Sequence, residues 1–161
     1  MRLALTIFPL LFVISLTADS NEKIKKIQEE YYSHAISQLN KLAPIFQYMC
    51  TDENHVGHEY SESSGKWEVT QFNNKRYIVS LYYEKYGSYS ATVNFFRTKS
   101  PQYLCIYDRS KETVICQNSH GEFKFNRNNL RFLQAYTQGY INDEQSMIGT
   151  PSISIGTCTE L

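Results

Sequence analysis

Two histidines and three acidic side chains crowd one polar stretch, Asp52, Glu53, Asn54, His55, Gly57, His58 and Glu59, and here the chain comes nearest to recognisable chemistry. Imidazole and carboxylate together suit zinc or copper, so His55 and His58 are the candidate metal ligands. Three features weigh against such a site. Gly57 disfavours the rigid helix that would hold both rings on one face, the zinc-protease spacing is absent, and His34 and His120 lie far away in sequence. The stretch from 51 to 64 is therefore predicted to be a solvated loop, with no metal and no cofactor.

Other chemistry is sparse. The chain has no Gly-x-Ser-x-Gly elbow, phosphate loop or dinucleotide fingerprint. Its four cysteines can all pair, which disfavours a thiol nucleophile. His34 with Glu68 or Glu84 could do acid–base work, but nothing in their spacing selects them, and no catalytic residue is assigned.

What must position any site is a ladder of strands between residues 65 and 116. Tyr89, Ala91, Val93 and Phe95 alternate with Ser90, Thr92 and Asn94, the period of a strand with one buried face. Tyr77, Val79, Leu81 and Tyr83 repeat the pattern just before. Asn73 and Asn74 suit a tight hairpin linking residues 66–72 to that strand, and Gly87 another. Two further runs, residues 102–108 and 112–117, close over a turn at 109–112 that sets Cys105 opposite Cys116. Opposed residues of antiparallel strands stand close enough for a cross-strand disulfide. Four cysteines allow three connectivities. With that pair taken, Cys50 and Cys158 remain, and their bridge would contribute about 4–5 kcal/mol in the chain-entropy account.

Ahead of the ladder the period changes to three and four. Ile24, Ile27, Tyr31, Ala35, Leu39 and Leu42 make one apolar stripe, so an amphipathic helix is predicted over residues 22–43, capped by Asp19 or Ser20 and stopped by Pro44. The stripe is read as the cover of the sheet. Residues 1–18 have the form of a secretory signal peptide: Arg2, an apolar run from Leu3 to Leu16, then Thr17 and Ala18. That run is shorter than the roughly 20 residues a membrane span needs.

Downstream, residues 122–125 read as a strand, 128–138 as a short helix, 141–151 as a loop and 152–155 as a last strand. The 161 residues carry 16 basic and 16 acidic side chains, so no net field points to nucleic acid or an anionic membrane. Thirteen tyrosines against one tryptophan put amphipathic rings in both core and surface.

Gly65, Lys66 and Trp67, at the start of a strand, resemble the Gly-x-Trp motif of the lipocalins. That family places the motif near the mature N-terminus and needs about eight strands to close its barrel. Here a long helix precedes it and about six or seven strands fit, so Trp67 is read as a core aromatic.

The expected fold is α+β: an N-terminal helix packed on a curved antiparallel sheet of about five to seven strands, in a cystatin-like or NTF2-like layout. Residues 1–18 form the leader and 19–161 one secreted, extracellular, disulfide-stapled domain without a membrane span. The expected function is a non-enzymatic binding module for a protein or a small apolar ligand, with Tyr82, Tyr86 and Tyr89 as contact residues because tyrosine favours recognition surfaces. A small secreted hydrolase or isomerase with a pocket between helix and sheet is the alternative, and a self-associating matrix component a third reading.

Overall fold

The computed structural model describes residues 8–86, 88–119, 121–137 and 150–161, the side chains of 8–19 and 84–86 excepted. One helix, α1 (Phe8–Leu39), precedes nine strands: β1 (Phe46–Ser61), β2 (Lys66–Gln71), β3 (Arg76–Tyr86), β4 (Tyr89–Phe95), β5 (Tyr103–Asp108), β6 (Thr113–Asn118), β7 (Gly121–Asn126), β8 (Arg131–Tyr136) and β9 (Ser152–Glu160).

The strands form a closed antiparallel barrel, not the open sheet of five to seven strands expected. Strands β3 to β9 follow one another as neighbours, and β1 pairs with β3 on one edge and β9 on the other, so eight strands complete the ring. Closure removes the unpaired edges that an open sheet would expose. The ninth strand, β2, pairs with residues 56–61 of β1, the part that runs on past β3. Residues 73–75 therefore cross from β2 to β3 instead of closing a hairpin between them.

Two further readings are overturned by strands. The polar stretch after Cys50 is the body of β1, and the segment read as a short helix over 128–138 contains β8. Leu130 takes a left-handed φ of 57° in the turn that leads into it. The last strand runs to Glu160, well past the predicted 152–155. Most of the 141–151 loop reading, together with Gly87 and His120, lies outside the described residues.

Alternate residues point inward, as the pleat requires. Tyr48, Tyr77, Val79, Leu81, Val93, Tyr103, Val114, Phe123, Phe125 and Phe132 fill the barrel with the four cysteines among them. Both disulfides, Cys105–Cys116 across β5 and β6 and Cys50–Cys158 across β1 and β9, join directly opposed residues, the pairs reached from register and elimination. The second spans the seam where the barrel closes.

The helix lies outside the barrel, across β3, β4 and β5. Ala35 and Leu39 bury against Tyr82 and Leu104, with Tyr32, Ile36, Leu42 and Tyr89 around them. The Tyr32 hydroxyl accepts the Leu104 amide proton at 3.0 Å. Only the C-terminal half of the stripe is covered, since Ile24, Ile27 and Tyr31 stay exposed. The helix ends at Leu39, ahead of Pro44, and it begins upstream of Asp19 and Ser20.

Trp67 sits on β2, outside the barrel, edge-on to Tyr60 with ring centroids 5.8 Å apart. The ring has eight strands, and the Gly-x-Trp segment is not part of it. Among the described residues no helix is long and apolar enough to cross a membrane.

Candidate functional site

The two ends of the barrel differ in kind. At the end where β1 begins, Arg127 acts as a plug. Its Nε donates to the Tyr48 hydroxyl at 2.6 Å, its Nη1 to Glu112 Oε2 at 3.2 Å, and its guanidinium stacks 3.8 Å from the centre of the Phe46 ring. Tyr107 adds a hydroxyl donated to the same Glu112 carboxylate. Charge-assisted bonds and cation–π contact together fix this end.

The opposite end is a mouth. A cavity of about 250 Å³ opens there, walled by Phe72, Phe95, Tyr103 and Tyr136 and floored by Tyr77 and Gln134. Tyr77 rests on Phe123 and Phe132, with ring centroids 5.4 and 5.5 Å away. Two side-chain atoms of residues that line it are buried without a hydrogen-bond partner among the described residues: the Tyr77 hydroxyl and Gln134 Oε1. The amide nitrogen of Gln134 donates to the Tyr103 hydroxyl at 3.3 Å. Exchanging that oxygen and nitrogen would still leave one amide atom unpaired.

Polar side chains reach the inside of the mouth through an irregularity in β1. The register against β9 shifts between Asp52 and Asn54, so Glu53 and Asn54 both face out while Asp52 and His55 both face in. A bulge re-aims side chains in this way. Asp52, 2 % exposed, accepts from the Ser154 hydroxyl at 2.5 Å and from the Lys75 amide at 2.8 Å. His55, equally buried, has Nε2 3.1 Å from Ser152 Oγ.

Burial pushes the Tyr77 phenol well above the ordinary tyrosine range, and the Asp52 carboxylate pushes it further. Ser154 lies near enough to offset this slightly, but its proton goes to Asp52 and no bond of proper geometry links it to Tyr77. Burial also raises Tyr103, partly offset by its bond to Gln134. Both rings therefore stay protonated at neutral pH and present hydroxyls, not phenolates.

The residues expected to carry function fall elsewhere or apart. Tyr82 is buried under the helix, its hydroxyl 3.3 Å from Thr92 Oγ1. Tyr89 packs against Tyr31 and Tyr32 at centroid distances of 6.4 and 6.5 Å. Both rings join helix to barrel, and the side chain of Tyr86 lies outside the described residues. These contacts join the C-terminal half of the helix to the sheet. His55 and His58, three apart on a strand, face in and out respectively, and the described residues hold no group of three metal-ligating side chains. His34 meets Gln38 on the helix surface, and Glu68 accepts from Ser64 on β2, so neither belongs to the mouth. The Glu84 side chain lies outside the described residues.

A larger concavity, about 640 Å³, lies on the outer wall among Glu53, Lys124, Arg131, Leu133 and Ile155. Outward-facing exposed side chains line much of it, and neither unpaired buried atom is there. The smaller mouth is the better site on chemistry.

The mouth residues had one signal in the sequence. Cys158 must face inward to reach Cys50, so Gly156, Ser154 and Ser152 share its face, and the isoleucines at 153 and 155 point to solvent. No protein-family model, curated protein or solved structure matches the chain.

Proposed function

We propose that the chain is a secreted binding protein that takes a small amphipathic ligand in the barrel mouth. The observation that carries this reading is the pair of unpaired buried atoms, Tyr77 hydroxyl and Gln134 Oε1, beside an open cavity whose opposite end is plugged. Leaving a buried polar group unsatisfied costs about 1–3 kcal/mol, and a ligand that pairs with it recovers that cost. Eight-stranded barrels are just wide enough to hold their own side chains or one small ligand.

The cavity sets the ligand's character. Aromatic walls favour a flat ring, Tyr77 offers a donor, and Gln134 offers an acceptor, so a neutral phenol or heteroaromatic amide fits. Two disulfides and a leader-like N-terminus support export. N-terminal sequencing of protein collected from the medium of expressing cells should begin at Asp19 or Asn21.

The test is a thermal-shift screen of the oxidised protein against small phenols and heteroaromatic amides. Ligand at 100 times its Kd should stabilise the fold by about 2.7 kcal/mol. Tyr77→Phe combined with Gln134→Leu should abolish the shift. A panel with no binder below about 1 mM, or binding indifferent to both substitutions, would remove the mouth as the site.

A further inference from the structure

Three side chains at the mouth stand in a line that ligand binding does not require. Ser152 Oγ lies 3.1 Å from His55 Nε2. On the other side of the ring, Nδ1 faces the Asn73 carbonyl oxygen at 3.4 Å and Asp52 Oδ2 at 3.7 Å. Both are acceptors, so the neutral ring carries its proton on Nδ1 and leaves the Nε2 lone pair to the Ser152 hydroxyl. That is the tautomer a serine nucleophile needs from its base.

The surroundings hold this line in place. Asp52 is anchored by Ser154 and the Lys75 amide, and its carboxylate lies where an imidazolium would form. The start of β9 comes in close because residue 57 is glycine. A Cβ there would sit 2.2 Å from the Pro151 carbonyl oxygen and 2.8 Å from Ser152 Cβ. Ser152 and His55 line the same cavity.

We propose that Ser152 is the nucleophile of an acyl-transfer site for small aryl esters, with His55 as general base. Ser152 Oγ bonds to the ester carbonyl carbon while its proton passes to His55 Nε2. The tetrahedral adduct collapses, its bond to the phenolic oxygen breaks, and the phenol leaves with the Nε2 proton. Water then attacks the acyl-serine, gives a proton to Nε2 and releases the carboxylic acid as Ser152 recovers its hydrogen. Ester and water are consumed, acid and phenol are formed, and the protein is unchanged. Asp52 and the Asn73 carbonyl are positioning groups that set the ring's tautomer.

The experiment treats the oxidised protein with diisopropyl fluorophosphate, maps the adduct by peptide mass spectrometry, and follows 4-nitrophenyl acetate hydrolysis in parallel. The adduct should fall on Ser152 and be lost in His55→Gln, and Ser152→Ala should lower hydrolysis by about 100-fold or more. Labelling of the unaltered protein needs no variant, so a His55→Gln chain that fails to fold does not blunt the test. An adduct confined to tyrosine or lysine, or equal hydrolysis with and without the Ser152 hydroxyl, overturns the assignment. Amide ligands cannot be turned over in this way, so their binding reports on the mouth separately, and catalysis can fail while binding stands.

Discussion

Removing one oxygen atom at each end of the barrel should move stability in opposite directions. The Tyr48 hydroxyl accepts from Arg127 Nε at 2.6 Å, so Tyr48→Phe leaves a guanidinium donor without its partner. Hydrogen bonds to charged groups contribute about 1.5–3 kcal/mol, and a loss of that order is expected. The Tyr77 hydroxyl has no partner, so Tyr77→Phe deletes a buried polar atom and keeps the ring against Phe95, Phe123 and Phe132. A gain of about 1–2 kcal/mol follows, which is roughly 2–8 °C in Tm for a domain of this size. Guanidinium melts of the two oxidised variants should show midpoints shifted in opposite senses at an unchanged slope. Alkali gives a second reading. A tyrosine whose folded pKa lies above the unfolded 10.0 adds no pH dependence below that value, and stability falls as pH rises past it because the unfolded chain ionises first. Tyr77→Phe should therefore soften the decline above about pH 10, although Tyr32 and Tyr103 are raised as well. If Tyr77→Phe destabilises as much as Tyr48→Phe, the hydroxyl is already satisfied and the argument for an open site fails.

Two more outcomes follow from the frame. The disulfides close loops of 108 and 11 residues, so replacing Cys50 and Cys158 by serine should cost about 5 kcal/mol and replacing Cys105 and Cys116 about 3 kcal/mol, read as denaturant midpoints of the paired variants. The Glu112 carboxyl is held below its ordinary value of 4.5, chiefly by the Tyr107 hydroxyl and then by Arg127, and Asp108 is held below 3.8, chiefly by Ser110. Both shifts are downward, so their contribution is present above the unfolded values and lost as pH falls through the folded ones. Melts between about pH 6 and 2 should show stability falling from about pH 4.5 downward, with a shallower fall in Glu112→Gln, and an unchanged slope in that variant would contradict the assignment.

Where side chains obey the usual alternation, the sequence was readable. Tyr77, Val79 and Leu81, with Ala91, Val93 and Phe95, face inward as read, whereas Tyr83 of the first row is exposed and Tyr89 of the second packs on the helix, and the turn between β5 and β6 sets Cys105 opposite Cys116. The outward residues of those strands misled in a smaller way. Ser90 and Thr92, read as facing solvent, are buried on the helix side of the wall. β8 reads as a helix because Leu130, Leu133 and Tyr136 keep helical spacing, while β1 reads as a loop and β9 is cut short for another reason. In β1 the inward positions past Cys50 are Asp52, His55 and Gly57, and in β9 they are Ser152, Ser154 and Gly156, so bulk and hydrophobicity sit on the wrong face. The bulge between Asp52 and Asn54 then breaks the period of two, and a polar stretch without a period reads as loop. With β1 taken for a loop and β8 for a helix, too few strands remained to close the ring.

The error and the site have a common cause. Gly57 and Gly156 stand where β9 packs so closely on β1 that a Cβ would meet a carbonyl oxygen at 2.2 or 2.1 Å, so these positions trade side-chain packing for proximity. Asp52, His55 and Ser152 occupy interior positions that leucine or valine would fill at less desolvation cost. Local rules fail together along this seam of the barrel. A seam that gives up apolar packing to bring a carboxylate, an imidazole and a hydroxyl into line, next to two unsatisfied polar atoms, is where selection for a task other than folding is expected to leave its mark.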